Sequence, residues 1–141
     1  MATMILASAV VHGERGYAQR VTTTSGHELL SDEPERRGGT NTGAAPFDLM
    51  LGSLGACTAI TLRMYADRKQ WNLGIIDIKL RLVKEGEEPI RIHRTMSMSE
   101  ALDAEQQAKL LEIADKTPVT KALAPGIPIQ TVFETSTQPA R

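Results

Sequence analysis

The chain has 141 residues, enough for one domain with a real core. Hydrophobic residues make up 41% and charged ones 23%, the ordinary balance of a globular chain. Acidic and basic side chains nearly cancel, at a formal net charge of -1, which takes most of the weight from nucleic-acid binding.

The one cysteine, Cys57, excludes an internal disulfide and a structural zinc site and points to a free thiol in the cytoplasm. His12, His27 and His93 fall in separate segments without ligand spacing, so no metal or cofactor is expected. Met1–Val11 is apolar but has no basic leader. The longest uncharged apolar run lies between Asp48 and Arg63, shorter than the ~20 residues of a membrane span. No membrane partner is expected.

In chain order, Met4–Val11 reads as a first strand, partly β-branched, and His12–Gly16 as a turn. Tyr17–Thr24, rich in Val and Thr, reads as a second strand. Ser25-Gly26 then makes a hairpin connection into a third, His27–Ser31. A polar loop follows from Asp32 to Ala45, of a length that is usually functional or mobile. It is no phosphate loop, because no strand leads directly into Gly38–Gly43 and no Gly-Lys-Ser/Thr follows.

Pro46 suits a first helical turn, and Asp48 complements the positive end of the helix dipole. From Leu49 to Leu62 the residues are apolar or small all round, which predicts a helix buried on most sides. Gly52, Ser53, Gly55 and Ala56 would let another backbone approach closely. Charges return at Arg63, and the helix should fray near Trp71-Asn72.

Two alternating strands come next. Ile76, Ile78, Leu80 and Leu82 share a face of the first, and Ile90, Ile92, Met96 and Met98 share a face of the second. Arg94 falls on that apolar face and is the odd residue. Asp103 with Gln106 forms a capping box for a second helix over about Ala104–Lys116. Thr117-Pro118 reads as an N-cap and N1 proline of a short helical turn to Leu123. Ile127–Phe133 reads as a last strand. The whole is one α+β domain over residues 1–134, with a disordered tail at 135–141.

The stretch DEPERRGGTNTGAAPFDLMLGSLGACTAITLRMYA, Asp32 to Ala66, resembles the OsmC/Ohr family, as do the order of elements and the DKTPVTKAL segment. The resemblance implies an antiparallel sheet with a long buried central helix, a second helix, and an intertwined homodimer whose chains lend strands to a shared sheet. It further implies peroxidases that reduce organic hydroperoxides with one cysteine, resolve the product with a second, and are restored by an external dithiol.

Carried over by position, Cys57 matches the attacking cysteine, while Thr117 stands where the resolving one belongs. Phe47 replaces the glutamate of the hydroperoxide-resistance branch, with the carboxylate of Asp48 one position along. Arg15, with Arg20 behind it, is nearest to the arginine of the N-terminal sheet. The resemblance thus implies a thiol-dependent peroxidase using an external thiol. The alternative is a non-catalytic dimer that binds a small apolar ligand.

Only a thiolate attacks a peroxide efficiently, and a free thiol has a pKa near ~8.5. Cys57 lies about three turns into the helix, too far for the N-terminus to activate it, so a cation must approach. Arg15, Arg20 and Arg94 are the candidates, since guanidinium keeps its charge when partly buried. The plainer readings are a small core hydrophobe for Cys57, dipole stabilisation for Asp48 and a wet strand edge for Arg94. Met50, Met64, Met96 and Met98 suit a core, or the lining of an apolar pocket.

Overall fold

The computed structural model describes residues 2–134. Its architecture is α+β, with antiparallel sheets. Strands β1 (Ala9–His12), β2 (Gln19–Thr23) and β3 (Glu28–Ser31) form one meander in that order, with Val11 opposite Val21 and Arg20 opposite Leu30. Helix α1 (Pro46–Lys69) follows. Strands β4 (Ile76–Val83) and β5 (Arg91–Met98) then form a two-stranded sheet, and helices α2 (Ala104–Ala114) and α3 (Pro118–Leu123) complete the order.

The local signals account for most boundaries. Proline opens α1, and Gln70 closes it in the left-handed conformation, φ 59°, two residues short of the expected fraying. Asp103 and Gln106 form the expected reciprocal capping box of α2. The Thr117 side chain caps α3, with Pro118 at N1. Helix α2 stops at Ala114, earlier than Lys116. Ala114 is fully packed there and Thr117 already begins the next cap.

Two expectations need correction. The first strand begins at Ala9 rather than Met4, and Ile127–Phe133 forms no strand. Both segments have strand composition, but a strand needs a hydrogen-bonded neighbour: Ser8 still meets Thr24, while residues 4–7 and 127–133 find none among the described residues. Their side chains are bare, from Leu6 at 88% exposed to Phe133 at 100%. The expected tail at 135–141 lies outside the described residues.

The long loop has structure of its own. It contains a 3-10 turn at Glu35–Arg37 and is tied around Asp32. A side chain at Gly39 or Gly43 would collide with the carbonyl of Glu33 or Leu30, so glycine permits this close coil.

Helix α1 packs on β4, α2 and α3, while the β1–β2–β3 sheet makes no comparable contact with it. The core cluster is Leu62, Ala66, Leu73 and Leu110, with Tyr65, Trp71, Ile76 and Met96 packed around it. Within one chain α1 buries one face, through Leu54, Gly55, Thr58, Leu62 and Ala66. The opposite face exposes Ile60 and Met64, and Phe47 is exposed in the first turn. The helix is also long and apolar enough to cross a membrane by length and composition, which the charge-free run alone had put too short. The central helix of a soluble protein has the same character.

Candidate functional site

Cys57 sits at the border of the two faces of α1 and is half-buried rather than buried. Residues at helical spacing on its packed side are Leu54 and Thr61. On its open side lie Ser53, Ile60 and Met64, all exposed. Apolar side chains of β4 hold the packed face. Gly55 makes room for them, since a Cβ there would stand 2.8 Å from Leu80 Cδ1.

The residue after Cys57 leads into a polar cluster. Thr58 is fully buried, and its hydroxyl donates to the Leu54 carbonyl at 2.7 Å and accepts from an Arg94 terminal nitrogen at 3.0 Å. The same nitrogen reaches Thr120 Oγ1 at 2.9 Å. The other terminal nitrogen donates to the Ala114 carbonyl at 3.1 Å and lies 3.5 Å from Asp115 Oδ1. One guanidinium therefore ties β5 to α1, α3 and the end of α2. The side chain of Arg94 is 14% exposed, which overturns the wet-edge reading. The strand parity that set it among Ile92, Met96 and Met98 was the signal.

Thr117 belongs to the same cluster. It is fully buried, and its hydroxyl caps the Thr120 amide at 3.3 Å and shares a 2.6 Å hydrogen bond with the Thr120 hydroxyl. The position expected to face an attacking thiol is thus occupied by a satisfied hydroxyl.

Beside the cluster opens a groove of about 1200 Å³ between β5, α2 and α3. Met50, Leu54, Met96, Met98, Leu102 and Leu110 form its apolar wall, and Arg94 reaches it. Three of the four singled-out methionines line it; Met64 is exposed on the other side of α1. Cys57 is not among the lining residues.

The other candidates are not brought together with Cys57 within one chain. Arg15 and Arg20 share a shallow depression of the N-terminal sheet with His12, Glu14 and Gln19, and Arg20 pairs with Glu28 at 3.7 Å. Asp48 is exposed in the first turn of α1, a place suited to dipole stabilisation.

Sequence reasoning missed Asp32. Its carboxylate is 2% exposed and accepts from the Glu33, Thr40 and Thr42 amides and from the Thr40 and Thr42 hydroxyls. The Thr40 hydroxyl, then the Thr42 amide, hold its pKa well below the usual carboxylate range. An aspartate heading a loop that contains Thr40-Asn41-Thr42 was the available signal. Among the described residues no group of three or more His, Cys, Asp or Glu side chains could hold a metal ion.

The family profile described as OsmC-like protein matches residues 39–132, which hold α1, Cys57, Arg94 and Thr117. The chain belongs to the OsmC-like family. Among curated proteins no match to it is found.

Solved structures agree with the OsmC-like fold beyond the profile's limits, at identities that speak to fold alone. An osmotic stress induced and detoxification response protein from Psychrobacter arcticus 273-4, provisionally so described, superposes at a TM-score of 0.71 with 20% identity, covering 89% of this chain and 92% of its own. The organic hydroperoxide resistance protein OsmC of Legionella pneumophila gives 0.62 at 20% identity, covering 87% and 92%. OhrB of Bacillus subtilis, also an organic hydroperoxide resistance protein, gives 0.58 at 23% identity, covering 85% and 91%.

Proposed function

We propose that this OsmC-like protein is a single-cysteine, thiol-dependent peroxidase that reduces organic hydroperoxides in oxidative-stress defence. The observation that carries the reading is the place of Cys57, at the accessible margin of the central helix in a fold whose solved neighbours are named organic hydroperoxide resistance proteins. The Cys57 thiolate would attack the outer oxygen of the hydroperoxide. An S–O bond forms, the O–O bond breaks, and the departing alkoxide takes a proton from water to leave as an alcohol. The resulting sulfenic acid needs two external thiols. The first displaces water and forms a mixed disulfide; the second releases Cys57 and leaves the reductant oxidised. A free thiol in this role suits the reducing cytoplasm.

The active assembly in this proposal is a homodimer. Ile60 and Met64 leave α1 open on one side, and the strand-like ends at 4–7 and 127–133 join no sheet among the described residues. A second copy offers cover for both and is a route by which Arg15 or Arg20 could reach α1. Cys57 oxidised by one equivalent of cumene hydroperoxide should gain one oxygen by mass spectrometry and then be reduced by small thiols. An unmodified thiol after that pulse would remove the peroxidase reading. The groove, which Cys57 does not line, favours as a second reading a dimer that binds a small apolar ligand.

A further inference from the structure

We infer that Arg94 is the positioning residue for the Cys57 thiol: by holding Thr58 it sets the roll of α1 about its own axis. The inference rests on reading Cys57 as the reacting group. Successive helix residues are separated by about 100° around the axis, so a thiol on the border between two faces is sensitive to small rotations. A roll of roughly 20–30° one way turns Cys57 toward Leu54 and Thr61, and the other way toward the open side of Ser53 and Ile60.

Apolar contact also bears on the roll, through the buried Leu54 and Leu62 and the Leu80 side chain in the notch at Gly55. The turns before Cys57 otherwise carry small residues, Gly52, Ser53 and Ala56. No side chain caps the helix start. Hydrogen bonds are directional where apolar burial is not. Among the described residues, α1 side chains make them to other elements at two places. One is the exposed bond of Arg63 to the Gly74 carbonyl, in the last third of the helix. The other is Thr58 with Arg94, one residue from Cys57.

Arg94 is an anchor rather than a loose arm, since its remaining bonds to Thr120 and Ala114 fix it to α3 and α2. Its planar fork orients both terminal nitrogens at once, which a lysine cannot do. The Thr58 hydroxyl keeps its bond to Leu54 if Arg94 is lost, so the helix itself stays satisfied and the freedom released is rotation.

The test is the alkylation of Cys57 by iodoacetamide across a pH range, in full-length wild type, Thr58→Val, Thr58→Ser, Arg94→Met and the Thr58→Val/Arg94→Met double variant. Thr58→Val and Arg94→Met should each change the limiting rate at high pH by about threefold or more, in the same direction. Their effects should not add in the double variant, Thr58→Ser should restore the wild-type rate, and the apparent thiol pKa should stay put. Should Arg94→Met fail to fold, the Val and Ser variants at Thr58 decide alone. A Thr58→Val limiting rate within about 1.5-fold of wild type overturns the inference. So does a rate change that follows a displaced thiol pKa, which would make Arg94 an electrostatic partner instead. Wild-type protein that alkylates normally but ignores hydroperoxide would remove the peroxidase reading and leave this result standing.

Discussion

Asp32 and Arg94 both carry charge out of bulk water, and each is held by hydroxyls and main-chain groups instead of a close ion pair. For Arg94 the nearest carboxylate, Asp115, is 82% exposed and 3.5 Å away, so that pair contributes little. Asp32 behaves as a staple, since five donors from three residues converge on one carboxylate. Its folded pKa lies below its unfolded value, so its contribution to stability is fully present above the unfolded pKa and is lost as pH falls through the folded one. Asp32→Asn should therefore lower Tm at neutral pH. The gap to wild type should close only as pH drops below about 4, the ordinary aspartate range. Thermal melts at a series of pH values check this, and a gap that vanishes nearer neutrality would contradict it.

Helix α1 carries two glycines with opposite roles. A Cβ at Gly55 would press on Leu80, whereas one at Gly52 would meet nothing within 4 Å. Replacing a helical glycine by alanine gains about 1 kcal/mol where space allows. Gly52→Ala should therefore raise stability by about that amount. Gly55→Ala should forfeit the gain, because crowding a packed site costs about 1–3 kcal/mol. Denaturant unfolding of the two variants gives the order directly. A destabilised Gly52→Ala would place another chain's backbone against that face of the helix.

At the scale of the described chain, bare apolar side chains include those on the open face of α1, in the N-terminal segment and in the C-terminal segment. Patches of this kind mark interaction surfaces more often than free surface. Sedimentation should find a dimer at micromolar concentration. Ile60→Asp, at a position 55% exposed within one chain, should split it into monomers while barely disturbing the fold of a single protomer. A wild-type chain that sediments as a folded monomer would contradict the proposed assembly, and with it the route by which Arg15 could approach Cys57.

The sequence by itself determined the features written in local chemistry. The proline start of α1, the Asp103–Gln106 box, the Thr117 cap and the alternation of β4 and β5 each involve residues within a few positions of one another. The family likewise was legible, in the segment around Cys57 and in the order of elements. Only the tertiary structure decided where Arg94 spends its donors, because its partners at 58, 114 and 120 are 36, 20 and 26 positions away. It alone decided that residues 4–7 and 127–133 find no partner strand within the described chain, since strand composition states a preference and a neighbour must supply the hydrogen bonds. The exposure of Cys57 is of the same kind. An apolar helix reads alike from every side, and only what packs against it says which side is covered.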